Sequence, residues 1–483
     1  ERTHFLNKLL KKLRKNKMNI WFIVGVVSVS VSSCKMPDGV AKVESNSVPE
    51  RFVESQDTVN SAMITWETFF KDSNLILLID TALSNNQELN IMLQEIEVSR
   101  NEIRAKKGEY LPFVTLNGGA GAEKVSRYTR NGAVEANTDI EPGKPFPEPL
   151  PDYMIGAYAT WEVDVWKKLR NAKKSAVSRY LASIEGKNFM VTHLIAEIAN
   201  SYYELLALDN QLEIVEQNIE IQSNALEVVK LQKQSTRVTE LAVKRFEAQV
   251  LNTRSLKFDI RQKVIEMENR INFLVGRFPQ SVRRDVKSFK EVVPSTIQEG
   301  IPSQLLTNRP DIQQVELELA AAKLDVKVAR ARFYPSLSIS AGVGFQAFNA
   351  SYIFKSPESI LYSLAGDLAA PLINRNGIKA DYYSANAKQL QAVYKYEQTI
   401  LNAYIEVVNQ LSKINNLENS YDLKEKEVQA LTQSIAISSS LFRSARADYN
   451  CPSWRRLQRA RRPRVHVHKH CASWRFLGGI FLS

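Results

Sequence analysis

The run Tyr153-Met154-Ile155-Gly156-Ala157-Tyr158-Ala159-Thr160-Trp161-Glu162-Val163-Asp164-Val165 alternates, with Tyr153, Ile155, Ala157, Ala159, Trp161, Val163 and Val165 apolar and Gly156, Thr160, Glu162 and Asp164 between them. Period two marks a strand with one apolar face. From Lys167 no proline occurs until Pro279, and Ile195, Ile198, Tyr202, Leu205 and Leu212 recur at helical steps. At 1.5 Å per residue, a helix over 167–235 would be roughly 100 Å long, against ~30 Å for a small domain. An amphipathic strand feeding so long a helix implies a membrane barrel carried on a helical tube.

Upstream, Leu78, Ala82, Leu89, Met92, Ile96 and Ile103 predict one helix over 75–107, stopping before Leu111-Pro112. A strand follows, with Val114, Leu116, Gly118, Ala120 and Ala122 on one face. Ser126 to Pro151, with five prolines from Pro142 onward, predicts a loop. The same order then repeats. Asn86-Gln87-Glu88-Leu89 is answered by Asn308-Arg309-Pro310-Asp311, Leu111-Pro112 by Tyr334-Pro335, and Tyr202-Tyr203-Glu204 by Tyr404-Ile405-Glu406. In the second copy Leu337, Ile339, Ala341, Val343, Phe345 and Ala347 alternate with polar or small residues, as do Tyr362, Leu364, Gly366 and Leu368. Strands are expected at about 113–125, 153–166, 336–348 and 360–373, each long enough for the ~9–11 residues of a transmembrane β-segment. Helices are expected over 379–448 and, returning in the first repeat, from Val238-Thr239-Glu240-Leu241 to Leu274.

The net charge is +12, but residues 1–17 carry +6 and 451–483 carry +8, which leaves −2 for residues 18–450. A basic surface spread over the fold, and with it a nucleic-acid partner, is excluded. The first basic segment precedes an apolar run from Ile20 to Val31, too short to span a bilayer and of signal-peptide size. Its end, Val31-Ser32-Ser33-Cys34, resembles a bacterial lipobox, which makes Cys34 the expected lipidation site and Met18 a candidate initiator. The expected organisation is a signal peptide with upstream basic residues over 1–33 and a lipidated extended arm over 34–63. The first repeat then covers 64–278, the second 279–450, and a basic tail 451–483.

With its duplicated plan, Asn308-Arg309-Pro310-Asp311-Ile312, Tyr334-Pro335, Trp161 through Trp166, Ala370-Pro371-Leu372 and Ala447-Asp448-Tyr449, the chain over 66–450 resembles the TolC-like outer-membrane efflux proteins, in their lipidated branch. The resemblance implies an α+β membrane protein. Its helix–strand–strand–helix repeat would build a homotrimer with a twelve-strand outer-membrane β-barrel continuous with a long periplasmic α-helical barrel. It also implies a periplasmic adaptor, an inner-membrane RND-type pump, and a gate at the periplasmic tip where Asp448 matches the family's constriction aspartate. Strand number asks for the same closure, because four strands leave open edges in lipid while three copies supply twelve.

No catalytic constellation stands out. His193 is the only histidine between Ile20 and Asn450, so neither a triad nor a multi-histidine metal site has a second member there. No cofactor is expected. Alternation assigns Thr160, Glu162, Asp164, Ser336, Ser338, Ser340, Gln346, Ser363 and Asp367 to a water-filled lumen. In the asparagine–arginine–proline–aspartate run, Asn308 is the expected helix cap, Pro310 a first-turn residue and Asp311 a partner for the positive helix end. After Asn450 the chain turns basic; Pro463 and Gly478-Gly479 fit no long helix, and a frameshifted or replaced end fits better than a metal site at His466, His468, His470 and Cys471. The functional expectation is a passive exit duct without enzymatic activity. The alternative is a lipid-anchored periplasmic scaffold or adaptor whose strands form a soluble domain.

Overall fold

The computed structural model describes residues 39–40, 42–52, 64–285, 300–371, 373 and 375–443. Cys34, Asp448 and the segments 1–38 and 444–483 lie outside them.

The elements are α1 (Trp66–Phe69), α2 (Ser73–Asn85), α3 (Gln87–Tyr110), β1 (Phe113–Glu123), α4 (Arg130–Asn137), β2 (Asp139–Glu141), β3 (Lys144–Pro145), β4 (Leu150–Val163), α5 (Lys168–Gln234), α6 (Glu240–Val275), α7 (Ser303–Asn308), α8 (Pro310–Ala331), β5 (Ser336–Ala347), β6 (Ile360–Ala369) and α9 (Asn376–Arg443). They group into two compact units, each drawing on both repeats. One holds Arg100–Arg179 and Leu319–Val393, the other Glu44–Ser99, Tyr180–Glu318 and the described residues from Tyr394.

The first unit is built on a four-stranded antiparallel sheet in the order β1-β4-β5-β6. Both hairpin connections leave from one end and all four long-helix junctions from the other. Phe113 lies opposite Thr160, Val163 opposite Leu337, and Ser336 opposite Ala369. Below the sheet, Ala329 and Phe333 of the second repeat pack on Tyr382. The expected loop after β1 contains α4 and the β2–β3 pair. Thr129 caps α4 by accepting from the Gly132 N–H; Pro145 ends the two-residue β3, and Pro151 is the second residue of β4, at the start of that strand.

In the second unit the 36-residue α6 packs along the 67-residue α5. Leu226 and Val229 meet Val243 and Val250, and farther along Leu208 and Val215 meet Ile260. Gly276 ends α6 at φ 76°, and a Cβ there would lie 2.5 Å from the Asn85 carbonyl oxygen, so only glycine fits. The helix expected over 75–107 is two helices. Asn86 is extended between them, accepts from the Leu89 N–H at 2.8 Å and donates to the Leu274 carbonyl at 2.8 Å. A side chain able to replace a broken turn's hydrogen bonds outweighs the continuous apolar periodicity. In the second repeat Asn308 ends α7, and Arg309 is the extended junction residue, so Asn308 is not the cap. Pro310 and Asp311 open α8 as expected.

The described arm is extended. Val40 exchanges two 3.0 Å hydrogen bonds with the Asn386 amide, Ser45 N–H donates to Glu397, and Phe52, 2% exposed, stacks on Tyr404.

Candidate functional site: the polar face of the sheet

Residues directly opposite in an antiparallel sheet share a face, so the register decides which side chains meet. Glu162, Ser338 and Asp367 form one row, and Thr160, Ser340 and Ala365 the next. Tyr158, Gly342 and Ser363 follow, then Gly156 and Gly344, and then Met154 and Gln346. Eight of the nine lumen candidates (Thr160, Glu162, Ser336, Ser338, Ser340, Gln346, Ser363 and Asp367) therefore lie on one face. Two are tied: Lys168 pairs with Glu162 at 2.5 Å, and the Gln346 amide donates to both Asp152 carboxylate oxygens at 3.0 Å.

Asp164 is the exception. Strand β4 ends at Val163, and the Asp164 carboxylate turns back to accept from the Leu169 and Arg170 N–H groups at 3.0 and 2.9 Å and from Arg170 Nε at 3.1 Å. Its side chain is 2% exposed, so it caps α5 instead of lining a lumen. Burial pushes its carboxyl pKa up, but the backbone donors and the Arg170 guanidinium outweigh that and hold it below the ordinary value.

Alternation by polarity missed Met154 and Tyr158, which share the parity of Thr160 and Glu162 but are apolar or amphipathic. Tyr158 lies across Gly342, where a Cβ would sit 2.9 Å from its ring, and its hydroxyl donates to Met154 Sδ at 3.0 Å. Parity alone would have found both.

The opposite face is a continuous apolar band. Val114, Ala159, Ala341 and Leu364 share a row, as do Leu116, Ala157, Val343 and Tyr362. Leu116, Leu364 and Tyr362 are 78%, 79% and 81% exposed, and no described layer covers them. Water would not tolerate such a patch, whereas hydrocarbon would. Among the described residues no helix is long and apolar enough to cross a membrane.

The sequence profile of the family described as "Outer membrane efflux protein" matches residues 78–277 and 301–444. The chain is 26% identical over 379 residues to the pyoverdine export outer membrane protein OpmQ of Pseudomonas aeruginosa, covering 78% of each. It is 25% identical over 408 residues to the cation efflux system protein CusC of Escherichia coli K12, covering 83% of this chain and 85% of that one. The outer membrane protein VceC of Vibrio cholerae shares its fold, with TM-score 0.74 at 21% identity over 86% of this chain and 98% of the other. With its two repeats matched, its strands amphipathic in register and its helices leaving one end of the sheet, the chain belongs to the outer membrane efflux protein family.

Proposed function

We propose that three copies of the chain close into a twelve-strand barrel, and that the resulting duct conducts small molecules passively out of the cell. The observation that carries this is the register: it collects the polar residues of four strands on one face and a bare apolar band on the other. In hydrocarbon the free edges of β1 and β6 would leave backbone groups unpaired at several kcal/mol each, and a symmetric ring of copies pairs them. The same apolar band argues against the soluble scaffold, which would need a covering layer. To this outer membrane efflux protein we assign the partners that its resemblance implies: two further copies of itself, a periplasmic adaptor and an inner-membrane pump of the RND type. The relatives' names specify cargoes as unlike as pyoverdine and cations, so the duct's cargo is not fixed by the fold.

Three further assignments belong to this reading: acylation of Cys34, a gate at Asp448, and the division into repeats over 64–278 and 279–450. Cleavage elsewhere with Cys34 unmodified, seen by mass spectrometry, would dispose of the first. The duct itself is tested by reconstitution. Arginine at Ile339 or Val343 should cost ~2–4 kcal/mol and block assembly, while arginine at Ser338 or Ser340 should assemble and alter conductance. Equal tolerance on the two faces would sink the proposal.

A further inference from the structure

Charge is strongly segregated in this nearly neutral body. The four helical segments that adjoin the sheet, 100–112, 164–179, 319–335 and 375–393, hold seventeen Lys and Arg against five Asp and Glu. The strands and their connecting loops, 113–163 and 336–371, hold five against nine, and the other described helical segments, 64–99, 180–285, 300–318 and 394–443, hold twenty-one against twenty-nine. All four basic segments lie in the first unit, at the helix end of the sheet.

Their acids are largely occupied. Asp164 is held by Arg170, Glu109 by Lys106, Asp325 by Arg179 and Asp381 by Arg332. Lys107, Lys167, Lys327, Arg330 and Lys379 are exposed and have no acidic partner among the described residues. Lys107 lies six residues before Phe113, Lys167 four beyond Val163, and Arg330 six before Ser336. At this level Trp166 stacks on Tyr334 with centroids 4.6 Å apart, is 46% exposed, and donates from Nε1 to the Pro335 carbonyl at 2.7 Å. A half-exposed, hydrogen-bonded tryptophan–tyrosine pair is the side-chain chemistry of a membrane–water boundary. Basic residues set just beyond a membrane segment attract anionic headgroups, each worth about a fivefold change in partitioning.

We propose that this basic collar is a binding site for anionic phospholipid of the leaflet facing the periplasm, the phosphates resting among Lys107, Lys167, Lys327, Arg330 and Lys379. The proposal rests on the sheet being a membrane barrel. It makes the collar an electrostatic stop that fixes how deep the barrel sits.

The test uses the full chain extracted from membranes and exchanged into bilayer discs of phosphatidylethanolamine with or without phosphatidylglycerol. Retained lipid is counted by native mass spectrometry, and conductance is measured in planar bilayers. The chain should retain phosphatidylglycerol over phosphatidylethanolamine by at least about tenfold, the preference shrinking at high salt. The combined K107Q, K167Q, K327Q, R330Q and K379Q variant should lose it, while K107R with R330K should keep it. No preference in the parent chain, or one that survives neutralisation, overturns the proposal. So does a neutralised variant that changes anion–cation selectivity with lipid retention unchanged, because the collar would then face the duct. A chain that neither conducts nor protects its sheet in bilayers, with or without the collar, brings down the barrel reading itself.

Discussion

The two repeats solve one problem with different chemistry. Each must break a helix just before its strand pair, and each does so with a single extended residue, Asn86 at φ −61°, ψ 126° and Arg309 at φ −82°, ψ 119°. They stand 223 residues apart, as do Leu111-Pro112 and Tyr334-Pro335. Asn86, 3% exposed, ties the break to the end of α6 through the Leu274 carbonyl. Arg309, 2% exposed, ties it to the outgoing helix: its Nη2 donates to Asp311 at 2.8 Å and to Glu406 at 3.0 Å, and its Nη1 has no partner among the described residues. Burial works against that charge, but the two carboxylates outweigh it and hold the guanidinium pKa above its ordinary value. A neutral amide suffices where a helix end offers a carbonyl. Where the partner is a carboxylate, the junction needs a cation.

Arg309→Met is the harshest test of that difference. It strands Asp311 beside Glu406 and should cost about 3 kcal/mol, toward the lower end of the range for breaking buried pairs because Glu406 is partly exposed. The measurement is the midpoint of chemical denaturation in detergent. Asn86→Ala leaves one carbonyl and one N–H unpaired and should cost about 2 kcal/mol. If Asn86→Ala proves the more damaging, the cation is not the stronger tie and the contrast fails.

A smaller contrast separates the paired tyrosines. Tyr202 is buried and donates to Asp72 at 2.7 Å; burial and that carboxylate both raise its pKa. Among the described residues Tyr404 reaches only the Arg51 carbonyl, at 3.5 Å, and it stacks on Phe52. Tyr202→Phe should therefore cost about 1.5 kcal/mol or more, and Tyr404→Phe under about 0.5 kcal/mol. Equal losses in the same denaturation assay would mean that the duplication extends to these hydrogen bonds.

The long elements were legible because each carries its own period: the four strands of the main sheet fall within a few residues of their expected ends, and α5 within one. Pairing partners were not. Asn86 looks like any polar residue in an amphipathic run, since the Leu274 carbonyl it serves lies 188 positions away. Aligning Asn86 with Asn308 by letter placed the junction one residue early; aligning by backbone role places it at Arg309. Asp164 kept the parity of a lumen residue one position after the strand had ended, and parity carries no meaning past a strand's last residue. The basic segments beside the sheet cancel against acidic ones elsewhere in the near-neutral body, so they show only by position along the helices.

The gentlest contrast is in the turns that lead from strand to long helix. In the first repeat the carboxylate of Asp164 caps α5. In the second, Arg375 closes the turn by donating from Nε to the Pro371 carbonyl at 2.6 Å. Asp164 has a lower pKa folded than unfolded, so its contribution is fully present above the unfolded value of ~3.9 and is lost as pH falls through the folded value. Each pKa unit of depression corresponds to about 1.4 kcal/mol. Asp164→Asn keeps an oxygen acceptor for the α5 N–H groups but removes the titrating charge. It should lower stability modestly at pH 7 and flatten the fall in stability as pH drops below the unfolded value of ~3.9. Replacing Arg375 with Gln should leave that acid slope unchanged. If Asp164→Asn retains the full slope, the acid-sensitive carboxylate lies elsewhere, and the two turns differ in shape but not in pH response.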